Sequence, residues 1–344
     1  MDIDNDIQLT SPDQFEGQFM LRGEGGVVHG DTRAGTWLYR NHSDPDTVRF
    51  AGPVEWQRGL ILEDFGVEHT GTGAALVLKD NIQARLKNIR IECSGGGQDG
   101  IRLEDSAFFN TGENIWLSAF KGIGVDIGVG SAAEGFGHSI RNSTIVSGQG
   151  EIGVRIQRQH ARIEYSQVNC TNGTGVQFWN PETHALHGGT ANGLSVEVGT
   201  GVEIDGDTHQ FRDVTVENSY FLHKAGTKGV VFGRAKDCAL INPAVVTPGT
   251  DAILAEWLAT STNCRVECSP HAARAKIRVE AGAKNPSATI QGLTTETERN
   301  SAFQGEGSEL LTVFARDEEG RLLIRRNDVW AHELSGMIYT AEVA

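Results

Sequence analysis

Short segments in which apolar and polar residues alternate recur along most of this chain. Each segment begins with a small residue and then places apolar side chains at every second position. Successive segments start 22 to 29 residues apart. Alternation of period two over so few residues predicts a half-buried β-strand and is too short for a helix. The segments are Ala75-Leu-Val-Leu, Gly100-Ile-Arg-Leu, Gly124-Val-Asp-Ile, Gly153-Val-Arg-Ile, Gly175-Val-Gln-Phe, Gly201-Val-Glu-Ile and Gly229-Val-Val-Phe.

A second alternating series lies about half a repeat after the first. Asn88, Asn114, Asn142 and Asn242 stand at the start of four of its members, whereas the stretch near Gly188 does not align. Because the connecting stretches lack the 3.6-residue periodicity of a crossover helix, the repeat predicts an all-β solenoid of short parallel strands. Its coils are expected to stack about 4.8 Å apart. The asparagine column is then structural, with amides bonded along the solenoid axis.

Period two also assigns each strand side chain to the inside or the outside of the solenoid. Cys93 and Cys170 fall on the inward parity of the second series and are expected to be small core residues. The inward positions of the first series are predicted to be buried, namely Val125, Ile127, Val154, Ile156, Val202 and Ile204.

The repeat divides the chain into three predicted parts. Residues 59–268 are expected to form the parallel β-helix, and residues 1–58 an amino-terminal cap with the first coils. Trp37, Tyr39 and Trp56 are the aromatic residues proposed to close that end. After Cys268 the pattern fades, so residues 269–344 are expected to form a small β module that serves in oligomerisation.

Charge and composition exclude several classes of partner. The chain has 45 acidic and 30 basic side chains and a formal charge of −15, which disfavours nucleic acid as a ligand. The sequence shows neither a secretory signal nor a stretch long and apolar enough for membrane insertion. Its 5 cysteines lack CxxC spacing and its histidines lack metal-ligand spacing, so free thiols, no metal and no cofactor are expected.

Outward positions of the first series contain the residues with candidate chemistry. Glu203 and Asp205 are two apart on one strand, so their Cα atoms are expected about 6.6–7 Å apart on one face. That spacing overlaps the carboxylate separation of inverting glycosidases, in which one carboxyl protonates the leaving oxygen and the other activates water. Trp179, one coil away, would pack on a sugar ring, and Gln177 would lie beside Glu203.

Further outward residues are candidates for substrate binding. Arg155 and Asp126 belong to the same rows as Gln177, and Trp116 faces outward in the second series as another sugar platform. A lyase would instead need a base beside an acidic sugar and a cation for its carboxylate, roles that Arg102, Arg155 or a histidine could fill. The alternative for the charged rows is a ladder of opposite charges that prevents aggregation, with the tryptophans covered by loops.

The coil pattern, the asparagine column and the segment Leu21-Arg-Gly-Glu-Gly-Gly-Val-Val-His-Gly30 resemble the pectate-lyase-like right-handed parallel β-helix superfamily, especially phage tailspikes and polysaccharide depolymerases. The resemblance covers about residues 15–268. Polygalacturonase motifs are matched only loosely, by Asn110-Thr-Gly112 and Gly137-His-Ser-Ile-Arg141, and their paired aspartates are absent. No catalytic residue is therefore carried over from that family.

The tailspike resemblance implies a homotrimer in a virion tail, assembled in the host cytoplasm, that binds and depolymerises a host surface polysaccharide beside other tail proteins. The activity would be that of a glycoside hydrolase or a polysaccharide lyase. Two alternatives remain open: a non-catalytic receptor-binding or structural spike, and an extracellular, cell-derived lyase or hydrolase.

Overall fold

The computed structural model describes residues 7–8, 20–23, 35–39, 45–51, 57–94, 98–105, 109–129, 136–197, 199–222, 227–246, 252–268, 276–291, 302–316, 321–334 and 337–338. These residues form β-strands and turns, with one 3-10 turn at Ser308–Leu310. Two compact units divide the chain. Unit 1 is Met1–Trp179 with Leu194–Gly199, and unit 2 is Asn180–Gly193 with Thr200–Ala344.

The strands follow one another at the short intervals that the repeat predicted. The first nineteen are β1 (Ile7–Gln8), β2 (Met20–Arg22), β3 (Thr36–Tyr39), β4 (Val48–Ala51), β5 (Gln57–Arg58), β6 (Ile61–Glu63), β7 (Phe65–His69), β8 (Ala74–Lys79), β9 (Asn81–Ile82), β10 (Arg85–Cys93), β11 (Asp99–Glu104), β12 (Thr111–Ser118), β13 (Ile123–Val129), β14 (Ser139–Arg141), β15 (Thr144–Ser147), β16 (Ile152–Ile156), β17 (Ala161–Glu164), β18 (Gln167–Cys170) and β19 (Thr174–Asn180). The others are β20 (Leu186–Asn192), β21 (Ser195–Val196), β22 (Thr200–Gly206), β23 (Phe211–Glu217), β24 (Tyr220–Leu222), β25 (Lys228–Phe232), β26 (Ala235–Lys236), β27 (Ala239–Ile241), β28 (Ala244–Val246), β29 (Ile253–Trp257), β30 (Arg265–Cys268), β31 (Lys276–Val279), β32 (Ser287–Ile290), β33 (Phe303–Gln304), β34 (Thr312–Arg316), β35 (Leu322–Arg326), β36 (Val329–Leu334) and β37 (Met337–Ile338).

Parallel pairing between successive coils builds both units as a β-helix. In unit 1, β13 pairs in parallel with β11 and β16, which places Asp126 between Arg102 and Arg155. In unit 2, β25 pairs in parallel with β22 and β29. The predicted fold class is therefore confirmed. The predicted inward positions are buried as well, with exposures of 2% or less for Val125, Ile127, Val154, Ile156, Val202 and Ile204.

Close packing between coils requires glycine at the start of several first-series segments. A Cβ atom built on Gly124 would lie 2.5 Å from the carbonyl oxygen of Gly153, and one on Gly153 would lie 2.6 Å from that of Gly175. In unit 2 a Cβ on Gly201 would lie 2.5 Å from the carbonyl oxygen of Gly229. These oxygens belong to the backbone of the next coil, so a larger residue forces neighbouring coils apart.

Left-handed residues form a column at the bend inside the second series. In unit 1, Asn88, Asn114 and Asn142 have φ angles of 53°, 55° and 51°, a region that asparagine tolerates better than most residues. The Nδ2 atom of Asn114 donates to Oδ1 of Asn88 at 2.7 Å, and that of Asn88 donates to Oδ1 of Asp64 at 2.7 Å. The predicted structural role of these three asparagines is thus supported by their geometry.

Unit 2 extends the predicted column and shows a second one. The coil near Gly188 does align, because Gly193, with φ of 63°, takes the bend position two residues before Ser195, the partner of Gln167. Asn218 lies beside Gly193, because Glu217 pairs with Asn192, and Asn242 donates to Asn218 at 3.0 Å, so Asn242 belongs to the predicted column. Gly188, Asp213 and Asp237 form the second column, at a separate bend. Coil length alone did not distinguish the two bends.

Parallel pairing continues beyond the point at which the sequence repeat fades. Strand β31 pairs with β29 and β33, and β32 pairs with β30 and β34, all in parallel. From β34 onward the pairing is antiparallel, through β35 to β36. Backbone hydrogen bonds hold these coils, so they need no repeated side-chain signature. The three-part division and the oligomerising module remain a proposal. Residues 24–30, Trp56 and residues 317–320 lie outside the described residues.

All of the cysteines are free and buried, as expected. Burial raises the pKa of Cys93, Cys170 and Cys268 to about 12, so these thiols are protonated core residues.

Candidate functional site

The outer wall of unit 1 is a network of paired charges. Asp126 is 2% exposed, and Arg155 binds both of its carboxylate oxygens, at 3.1 Å from Nε and 2.5 Å from Nη2. Gln157 adds a third hydrogen bond to Asp126 at 2.9 Å. Burial by itself lowers the pKa of Arg102, but its hydrogen bond to Asp99 and the charge of Asp99 hold the pKa above the ordinary value. The contacts of Asp126 and Arg155 therefore match the charge-ladder alternative.

The strand register shifts by one residue at one point in this wall. Glu104 pairs with Val129 and not with Gly128, because a register shift follows Leu103 and Gly128 has φ of 98°. An extra residue at a β-bulge moves every later side chain of the strand by one position.

The predicted tryptophan platforms of unit 1 are half-buried. Trp116 lies between Arg90 and Thr144 in the parallel register, as the alternation predicted. Trp179, at the end of β19, is half-buried too, whereas Gln177 is 9% exposed.

In unit 2, Glu203 and Asp205 face outward from β22, as the alternation predicted, and are half-buried. The Oδ1 atom of Asp205 accepts hydrogen bonds from the backbone N–H groups of Gly206 and Arg234, at 2.8 Å and 2.7 Å. Gly233 lies under this carboxylate, where an added Cβ would meet Oδ1 at 2.7 Å. Asp205 thus holds the turn of the next coil in place.

The wall of unit 2 continues with a second group of charges. Glu203 pairs with Val231, which pairs with Glu256 in the next coil. The buried carboxylate of Glu256 lies 2.5 Å from Nζ of Lys228 and 3.3 Å from Nη1 of Arg278. Both cations are partly exposed, with side-chain exposures of 36% and 46%. We define Glu203, Asp205, Lys228, Glu256 and Arg278 as the polar wall of unit 2.

The predicted site falls partly in each unit. Gln177, Trp179, Arg155, Asp126 and Trp116 belong to unit 1, and the carboxylates Glu203 and Asp205 to unit 2. The structure places the two carboxylates on one strand face. That Gln177 and Trp179 converge with them in one site stays a prediction.

Unit 2 also contains a cleft that the alternation did not reveal. Its volume is about 430 Å³, and its lining residues are Ala185, Thr208, His209, Gln210, Arg212, Arg234, Ala259, Thr260, Thr262 and Lys284. Most of them belong to turns or strand ends, where a period-two pattern carries no information. One sequence feature could have indicated the cleft. Arg212 and Lys236 both point outward, and each directly precedes an aspartate with a positive φ angle.

Neither a metal-binding cluster nor a membrane-spanning helix is found in the part of the chain that the structure describes. It contains no cluster of three or more His, Cys, Asp or Glu side chains arranged to hold a metal ion. No helix in it has the length and apolar character needed to cross a membrane.

The fold and the polar wall define a protein of the parallel β-helix class. No protein-family model matches the chain, and no curated protein matches it. Among solved structures it is similar to the alginate lyase from Paenibacillus sp. str. FPU-7, with a TM-score of 0.54 and 12% identity, over 68% of this chain and 82% of that chain. It is also similar to PfbA, a surface adhesin of Streptococcus pneumoniae, with a TM-score of 0.54 and 9% identity, over 88% and 87% of the two chains.

The gp42 tailspike of Acinetobacter phage vb_AbaP_AS12 matches with a TM-score of 0.48 and 11% identity, over 87% of this chain and 51% of that chain. The first two similarities confirm the parallel β-helix that the pectate-lyase-like resemblance implied. A shared fold does not by itself define an activity.

Proposed function

We propose that this protein binds a polysaccharide on its outer wall and depolymerises it. The observation that carries the proposal is the polar wall of unit 2. It presents two carboxylates on one strand face, and two cations around Glu256 in neighbouring coils. Carboxylates accept hydrogen bonds from sugar hydroxyls, and Lys and Arg side chains donate hydrogen bonds to them. A carboxylate pair also supplies acid and base catalysis.

In this proposal Glu203 and Asp205 act as a pair on the glycosidic bond. One carboxyl protonates the leaving oxygen while the other activates a water on the opposite face of the sugar, which gives inversion. Trp179 and Gln177 would contribute binding contacts, and Arg155, Asp126 and Trp116 an extended surface along the coils. A β-helix suits a long ligand because equivalent positions repeat every coil.

A non-catalytic receptor-binding spike is the second candidate, and one observation favours it. Asp205 already uses Oδ1 to hold the turn at Gly206 and Arg234. A carboxylate that holds a turn needs no catalytic role, which is consistent with a protein that only binds its receptor. An extracellular, cell-derived lyase or hydrolase is the remaining alternative.

The distinguishing experiment uses the full chain and surface polysaccharides from a set of candidate hosts. We expect at least one polysaccharide to bind and to yield new reducing ends. Absorbance from unsaturated uronates in the same reaction would identify a lyase, and its absence with new reducing ends a hydrolase. Binding without either product would favour the spike, whereas no binding to any polysaccharide would contradict the proposal.

The setting that we propose is a virion tail, with three chains side by side as a homotrimer that binds a host surface glycan. Unit 1 exposes Phe109 and Phe136 by 45% and 41%, with ring centroids 4.8 Å apart. In the proposed trimer, a neighbouring chain would cover these two rings. Light scattering of the full chain should therefore give the mass of three chains, and a monomer mass at micromolar concentration would contradict the trimer.

A further inference from the structure

The cleft of unit 2 is lined by groups that favour an anion. Three of its lining residues carry a permanent positive charge: Arg212, Arg234 and Lys284. Threonine hydroxyls and the Gln210 amide supply further hydrogen-bond donors, and His209 adds an imidazole. The lining includes no carboxylate.

Register places additional charge along the same edge. Arg212 pairs with His187 in the preceding coil and with Lys236 in the following coil. Isolated parallel bridges then join Lys236 to Thr262 and Thr262 to Lys284. These residues form one column parallel to the coil axis, with steps of about 4.8 Å. We call it the basic column.

Three cations of the basic column, Arg212, Lys236 and Lys284, lack carboxylate partners among the described residues. The ion pairs of unit 2 involve His187 with Asp213, Lys228 and Arg278 with Glu256, Arg265 with Glu267, and Arg325 with Asp328. Arg212, Lys236 and Lys284 take part in none of them. In a chain with formal charge −15, an unpaired set of stacked cations is unexpected, because like charges opposite one another destabilise a sheet.

Arg212 and Arg234 show how the cleft is prepared for a ligand. The Nε atom of Arg212 is shielded from solvent and has no hydrogen-bond acceptor in the described structure. Arg234 is held in place at both ends. Its backbone N–H donates to Asp205, and its Nη1 atom donates to the carbonyl oxygen of Gly206 at 2.7 Å. An anion in the cleft would accept the missing hydrogen bond from Nε of Arg212. It would also contact the guanidinium of Arg234, which is already fixed in position.

We propose that this cleft, which adjoins the polar wall through the contact of Arg234 with Asp205, is a second binding site for the oxyanion groups of an acidic saccharide. Its volume of about 430 Å³ is that of a small-ligand pocket. Hydroxyl and amide donors between the cations suit a sugar, and the lining contains no Phe, Tyr or Trp ring on which a nucleobase would stack. The site binds an acidic segment of glycan whether or not the polar wall cleaves it.

Calorimetry of the full chain tests the proposal with matched ligands. The probes are oligogalacturonate, oligomannuronate and a sulfated oligosaccharide, together with fully methyl-esterified oligogalacturonate as an uncharged counterpart and inorganic sulfate as a free oxyanion. We expect at least one acidic saccharide to bind more tightly than both the methyl ester and sulfate. Its affinity should fall as salt rises from 50 to 500 mM, since exposed charge interactions are screened (a range of roughly 14 to 4 Å in Debye length).

Variants then locate the site. Arg212→Gln and Lys284→Gln are each expected to weaken binding by roughly tenfold, the size of one lost charge-assisted hydrogen bond. Lys284 is exposed, so its replacement leaves the fold intact even if the half-buried Arg212 proves structural. Arg265→Gln, which removes an exposed ion-paired charge from unit 2, should leave the affinity unchanged.

The outcomes separate this inference from the proposed cleavage. Equal affinity for the acidic saccharide and its methyl ester, an equal effect of Arg265→Gln and Lys284→Gln, or no binding of any acidic probe would overturn the anion site. Cleavage of a neutral polysaccharide together with such a result would leave the proposed function of the polar wall standing.

Discussion

Glu203→Gln is expected to reduce polysaccharide cleavage by roughly 10²–10⁴-fold while glycan affinity changes little. The amide keeps the size of the side chain and one acceptor oxygen, but it neither donates nor accepts a proton during the reaction. Glu203 is half-buried on the strand face, so the melting temperature should stay close to that of the parent chain. Turnover is measured as new reducing ends, and affinity separately by calorimetry.

Asp205→Asn should produce a loss of similar size, and here the structure supplies a safeguard. An asparagine can still offer one oxygen to the N–H groups of Gly206 and Arg234, so the turn is retained. Glu267→Gln, an exposed carboxylate of another strand, is the matched control. Trp179→Ala should weaken binding instead of turnover. If both amide variants cleave normally, the wall is a charge ladder and the catalytic proposal is wrong.

Gly153→Ala is expected to destabilise the β-helix by roughly 1–3 kcal/mol. The added methyl would contact Val168 and lie 2.6 Å from the carbonyl oxygen of Gly175 in the next coil. Backbone atoms of a stacked coil cannot move away without breaking the parallel ladder on both sides. The change is measured as a lower melting temperature and a lower urea midpoint.

Gly148→Ala is the control for this prediction. Gly148 is exposed, and an added Cβ there would meet no atom within 4 Å. Alanine also reduces the entropy of the unfolded chain, so this variant should be neutral or gain roughly 0.4–1 kcal/mol. Equal melting temperatures for the two alanine variants would contradict close packing at Gly153.

Local alternation determined which side of each strand is buried. Val202 and Ile204 point inward, and Glu203 and Asp205 outward, because successive side chains of a strand face opposite ways whatever lies beyond it. The same reasoning placed Trp116 between Arg90 and Thr144. Small residues at the strand starts likewise followed from the sequence.

Only the tertiary structure decided which residues of different coils become neighbours and how their charges are used. Column membership depends on the conformation of every turn between two strands, so Gly193 takes the asparagine position in one coil, and Gly128 shifts a row by one residue. Burial of Asp126 under Arg155 depends likewise on contacts across coils. The alignment of Arg212 with Lys236 beside the cleft has the same origin, because parallel pairing joins residues 24 positions apart that no local pattern relates.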